Sequence, residues 1–157
     1  MRFSLRVFLI LAAAIIGSND VYAQSQSLDI RPYGQRITGD ELELHFKGLT
    51  HSGAYNFTRS GEARAFYTER HNIDGTVLYK EDELTADGRW GVFNDILCYY
   101  YTNKDMVGGC FRVYRVENCY YFYSNSLPDD PNEIDGDFWT ARSTRKGERQ
   151  KCEAALS

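Results

Sequence analysis

The chain has 157 residues, 18 basic and 22 acidic side chains, a net charge of −4, twelve tyrosines and four cysteines. A mildly acidic chain of this size is a poor candidate for non-specific nucleic-acid binding. It has room for one domain with a sizeable core.

The N-terminus reads as an export signal. Arg2 and Arg6 precede the apolar run Val7 to Gly17, and Val21-Tyr-Ala23 supplies the A-x-A-like end of a secretory leader. That run is shorter than the roughly 20 residues a membrane span needs, and no later stretch is long and apolar enough. Cleavage after Ala23 leaves 134 residues with 16 basic and 21 acidic side chains, a net charge of −5. The expected organisation is a signal peptide over 1–23, a flexible lead-in over 24–37 and one disulfide-stapled β-domain over 38–157. The expected location is outside the cytoplasm, with no transmembrane segment once the signal is removed.

Thr38-Gly-Asp-Glu41 has the pattern of a capping box. Leu42, Phe46 and Leu49 follow at helical spacing and Gly48 is a natural stop, which predicts a helix over Gly39 to Lys47. Strands and turns take over from there. Leu49 to Ser52 and Ala63 to His71 read as strands, and Asp74-Gly75 as a hairpin turn into Thr76 to Tyr79. Asp87-Gly88 reads as a turn opening Arg89 to Phe93, and Asn94-Asp95 as a tight turn into Ile96 to Tyr101. Cys110 to Val116, a Glu117-Asn118 turn, Cys119 to Ser124, the acidic loop Pro128 to Asp137, Phe138 to Ser143 and Glu148 to Glu153 complete the pattern. Strands at intervals of about ten residues indicate an all-β fold. We expect a mainly antiparallel meander, barrel- or sandwich-like, with one short N-terminal α-helix.

Cysteines at 98, 110, 119 and 152 in an exported chain point to disulfides, and no C-x-x-C pair suggests zinc. A two-residue turn at Glu117-Asn118 sets Val116 opposite Cys119, Tyr114 opposite Tyr121 and Arg112 opposite Tyr123. Cys110 and Cys119 then stand about 20 Å apart along the ladder, beyond the roughly 7 Å between Cα atoms that a disulfide spans. With Cys98 opposite Cys110, the same distance excludes 98–119. Cys98–Cys110 and Cys119–Cys152 remain. The register also sorts side chains by face. Leu97, Tyr99, Phe111, Val113, Tyr120 and Phe122 form the expected core face. Tyr100, Arg112, Tyr114, Tyr121 and Tyr123 occupy the other, and are either cross-strand packing or a ligand-binding surface of tyrosine around one arginine.

No nucleophile–base set, phosphate loop or histidine pair at metal-ligand spacing occurs, so neither catalytic residues nor a metal or other cofactor are expected. Gly48-Leu-Thr50, Asp74-Gly-Thr76, Gly88-Arg-Trp90, Leu97-Cys98 and Cys110-Phe-Arg-Val-Tyr114 together resemble a family of small exported proteobacterial β-domains of unknown function. Gly88-Arg-Trp90 is also similar to the G-x-W of calycin barrels and small periplasmic protease inhibitors, although in lipocalins it opens the first strand. These resemblances imply a bacterial periplasmic or secreted β-domain, calycin-like in fold, and assign no catalytic residue. The expected function is therefore a non-enzymatic periplasmic or secreted binding domain for a small molecule, glycan or envelope component. The alternative is a protein-interaction module such as a protease inhibitor or host-facing factor.

Overall fold

A computed structural model describes residues 32, 34–56, 65–104, 106 and 108–151. The export signal, Ala63 and Cys152 fall outside them. In chain order the elements are β1 (Gln35–Ile37), α1 (Gly39–Phe46), β2 (Thr50–Tyr55), β3 (Phe66–His71), β4 (Thr76–Glu81), β5 (Leu84–Phe93), β6 (Ile96–Tyr101), β7 (Cys110–Val116), β8 (Cys119–Ser124) and β9 (Ala141–Arg145). Each strand from β2 to β9 pairs antiparallel with the next, and β9 pairs back onto β2. The result is a closed, eight-stranded up-and-down barrel with one helix. Among the described residues, no helix is long and apolar enough to cross a membrane.

Turn chemistry explains much of the register. Asn94 and Asp95 both adopt positive φ, +48° and +62°, and set Phe93 opposite Ile96. Glu117, at φ +54°, sets Val116 opposite Cys119, and the pairings Tyr114↔Tyr121 and Arg112↔Tyr123 follow as expected.

Asp87-Gly88 is not a turn, which corrects the sequence expectation. The reversal falls at Asp82-Glu83, with Asp82 at φ +48° and Glu81 opposite Leu84, and β5 runs unbroken through Gly88. Gly88 is needed for contact rather than for turning. A Cβ there would stand 2.3 Å from the carbonyl oxygen of Tyr100 on β6.

The lead-in also needs correction, because its last three residues form β1 along β7, pairing Gln35 with Arg115 and Ile37 with Val113. Beyond the Lys146-Gly147 turn, residues 148–151 form no strand. β9 already has β2 on one side and β8 on the other, so no ladder edge is left for them. They are held instead by Asn118, which donates to the Arg149 carbonyl and accepts from the Lys151 N–H.

The helix plugs one end of the barrel. The Thr38 hydroxyl makes no capping bond; Gly39, at φ +48°, turns the chain into α1 while the Thr38 carbonyl accepts the Glu41 N–H. Leu42 and Phe46 point inward and are fully buried. The Phe46 ring stacks on His51 at 4.5 Å and meets His71, Tyr120 and Phe122 edge-on. Gly48, at φ +76°, ends the helix, and its N–H goes straight to the His71 carbonyl of β3. The expected core face is in place: Leu97, Tyr99, Val113, Tyr120 and Phe122 are buried together, with Phe111 packed against them.

His51 is buried beneath the helix with Nε2 3.0 Å from the His45 carbonyl oxygen and Nδ1 3.1 Å from Ser143 Oγ. Burial, followed by the neighbouring His71, lowers its pKa from 6.5 to about 3. Burial and the adjacent Arg115 and Arg145 also lower the pKa of His45.

Cys98 pairs with Cys110 as expected, bridging a sequence separation of 12. Cys119 is fully buried and carries no free thiol; its expected partner, Cys152, lies outside the described residues.

Two predictions follow from these features. Replacing Cys98 and Cys110 by alanine is expected to lower unfolding free energy by about 2–3 kcal/mol, measured by urea titration against the parent protein. The pH dependence has a definite sign. Between pH 6.5 and about 3 the unfolded chain carries a proton on His51 that the folded chain does not. Stability is therefore complete above pH 6.5 and falls on acidification, by about 1.4 kcal/mol per pH unit for such a group. Urea titrations from pH 7 to 4.5 should show that slope, and His51→Gln should flatten it; an unchanged slope would place the proton uptake elsewhere.

Candidate functional site

The five residues expected to form a binding face separate in the structure. Tyr114, Tyr121 and Tyr123 stand on the outer face of β7 and β8, yet each is buried. The loop from Asn125 to Thr140 lies over them, and Ile134 and Trp139 join them in a second apolar cluster. Tyr121 meets Trp139 edge-on at 5.9 Å, Arg142 lies over both rings, and the Tyr123 hydroxyl donates to the Gly136 carbonyl. Arg112, only 2% exposed, holds this loop down. Its Nη1 donates to the Pro128 carbonyl, and its Nη2 to those of Leu127 (2.8 Å) and Ser124 (3.3 Å). Asp129 is 3.7 Å away but fully exposed, so the carbonyls rather than that ion pair fix the loop. Tyr100 does not join the group; it stands 70% exposed on β6.

In the acidic part of the loop, Asp130 caps a short 3-10 turn (Pro131–Glu133) by accepting from the Asn132 N–H, and Asp135 accepts from the Asp137 N–H. Among the described residues, no group of three or more acidic, histidine or cysteine side chains is placed to hold a metal ion.

A denser set of polar groups lies inside the barrel, running from His71 beneath the helix to the rim opposite it. Alternation on β3 turns Tyr67, Glu69 and His71 inward, and on β4 it does the same for Val77, Tyr79 and Glu81. The ladder sets Tyr67 opposite Glu81 and Glu69 opposite Tyr79. β6 adds Tyr99 and Tyr101, and the last residue of β2 adds Tyr55.

The rings form a continuous chain. Tyr55 and Tyr67 are 5.0 Å apart, Tyr67 and Tyr79 stack at 5.7 Å, and Tyr79 and Tyr101 meet edge-on at 5.6 Å. Their hydroxyls converge on the two carboxylates. Tyr101 donates to Glu69 and Tyr79 to Glu81, while the Tyr55 and Tyr79 oxygens are 3.0 Å apart. His71 Nε2 stands 3.4 Å from Glu69 and 2.9 Å from the Tyr99 hydroxyl, and its Nδ1 is buried with no partner.

Burial raises the pKa of Tyr67, Tyr99 and Tyr101, with the charge of Glu69 as the second cause. Burial likewise raises Tyr79, followed by its neighbour Tyr55. These phenols therefore keep their protons across physiological pH and act as donors. Glu69 is 5% exposed, and no arginine or lysine is within ion-pairing distance of it among the described residues. Tyr55 and Glu81 are half-buried and Leu84 is exposed, so the cluster meets solvent at this rim.

The inward position of Gly53 on β2 makes room for the Tyr67 ring. A Cβ there would come within 2.7 Å of the Tyr67 hydroxyl and 2.4 Å of the Arg142 carbonyl oxygen. Sequence reasoning missed this set. Tyr-x-Glu-x-His over 67–71, read at the period of two already applied to β7 and β8, was the signal available.

Compared with protein-family models, with curated proteins and with solved structures, the chain finds no match.

Arg112→Ala should remove three charge-assisted bonds and destabilise the protein by on the order of 3 kcal/mol. It should also expose the loop to limited proteolysis between residues 125 and 140; a loop cleaved no faster than in the parent would refute this anchoring role.

Proposed function

We propose that this protein is a non-enzymatic binding domain of an exported compartment, and that its barrel takes a small organic cation, an amine or quaternary ammonium, at the tyrosine-lined end. The observation that carries the reading is Glu69, an inward carboxylate 5% exposed that faces phenol hydroxyls and His71 and, among the described residues, no lysine or arginine. A buried carboxylate is costly without a compensating charge, and a ligand ammonium group would provide one. Tyrosine faces attract the same group through their quadrupoles.

The scaffold suits the task. An eight-stranded barrel has an interior that side chains can fill or that holds one small ligand. Glu81 and Tyr55 at the rim would meet a cation first, and Glu69 would receive it deeper in. The Cys98–Cys110 disulfide and the charged-then-apolar N-terminus both agree with export to an oxidising compartment.

Thermal-shift screening should show stabilisation by amines and quaternary ammonium compounds, but not by neutral sugars or fatty acids. Glu69→Gln should weaken the best amine by at least about tenfold, while Lys80→Gln, on the outer face, should leave its affinity unchanged. Stabilisation by sugars or fatty acids alone, or a Glu69→Gln protein that binds amines as tightly as the parent, would overturn the proposal.

A further inference from the structure

At the helix end the barrel carries the opposite charge. The inward-facing parity of β7, β8 and β9 reaches Arg115, Tyr120 and Arg145 there, and α1 lays His45 across them. Arg115 Nη1 is 3.4 Å from His45 Nε2. Arg145 Nη2 at 3.3 Å and the Tyr120 hydroxyl at 3.1 Å both face His45 Nδ1. His45 is 8% exposed, and burial together with the two arginines keeps its pKa below 6.5.

A neutral imidazole has one N–H and one lone pair. If the proton is on Nε2, the Arg115 donor points at an N–H; if it is on Nδ1, the Arg145 donor does. In either tautomer one guanidinium donor lacks an acceptor on His45; Arg145 also bonds the Tyr120 hydroxyl, and Arg115 is open to solvent. Arg145 Nε is also buried without a partner.

The surrounding acids do not correct this. Glu41, with its side chain 45% exposed, stands 4.0 Å from His45 Nε2. Glu117 offers Arg115 only its backbone carbonyl, and Glu148 is engaged by Asn118. Among the described residues neither arginine has a carboxylate within ion-pairing distance. The partial negative charge at the end of α1 attracts cations in general, but it does not accept these directed N–H bonds.

We infer that Arg115 and Arg145, with His45 and Tyr120, form a binding niche for an oxyanion of the phosphate or sulfate type. Guanidinium groups suit such ligands because their donors match two oxygens at once, and a bound oxyanion would supply the missing acceptors between them. This site is separate from the acidic end of the barrel and does not depend on the function proposed for it.

The test is an NMR titration of the full chain with sodium phosphate, with sodium chloride holding ionic strength constant. Saturable shifts of the His45 ring and the Arg145 Nε–H are expected, with affinity reduced at least about tenfold in Arg115→Gln. Competition by sulfate but not acetate would assign the niche to tetrahedral anions, and competition by both to oxyanions in general; either supports the site. Non-saturating shifts reproduced by chloride, or unchanged phosphate binding in Arg115→Gln, would overturn it. Arg115 lies at an exposed rim, so this variant keeps the test valid even if Arg145→Gln fails to fold.

Discussion

The architecture depends on the seam between β6 and β7. Their ladder extends over only two positions, Leu97 with Phe111 and Cys98 with Cys110, and the disulfide sits on the second. β1 takes the rest of that edge, along residues 113 to 115 of β7. Without this covalent tie and added strand, the sheet would present two open edges to other chains. The interior depends on the seam too, because Tyr99 and Tyr101 on β6 complete the ring of phenols around Glu69 only when the barrel is closed.

The interior charge is segregated. Glu69 and Glu81 lie toward one end, Arg115 and Arg145 at the other, with Phe46, Val77, Leu97 and Val113 among the apolar side chains of the core. Setting opposite charges at opposite ends prevents them from neutralising one another as buried ion pairs. The interior therefore keeps polar groups that the fold itself does not fully satisfy. His71 Nδ1 and Arg145 Nε are the plainest examples. Groups of this kind cost free energy, which is why they direct attention to ligands rather than to stability.

Much of the fold was legible because its turns carry local chemistry. Asn94-Asp95 and Glu117-Asn118 gave the registers of β5–β6 and β7–β8, and the second ruled out a bridge between Cys110 and Cys119. Local signals misled where long-range packing decided the outcome. Asp87-Gly88 resembles a turn, but Gly88 is small because β6 approaches it closely. β1 has no periodicity of its own and exists only because β7 offers it an edge. The Arg112 face was sorted correctly by parity, but parity cannot reveal that a distant loop covers it. The interior of β3 and β4 follows the same period of two, obscured by charged residues on both faces of those strands.

The connectivity sets the order in which the molecule can be completed. Gln35 pairs with Arg115, and His51 pairs with Arg145 on the last strand, β9. The first barrel strand to leave the ribosome therefore waits almost the length of the domain for its second neighbour. Contacts so distant in sequence slow folding, toward the millisecond-to-second range. Until β9 is synthesised the barrel cannot close, because both of the ladders that complete it run along that strand.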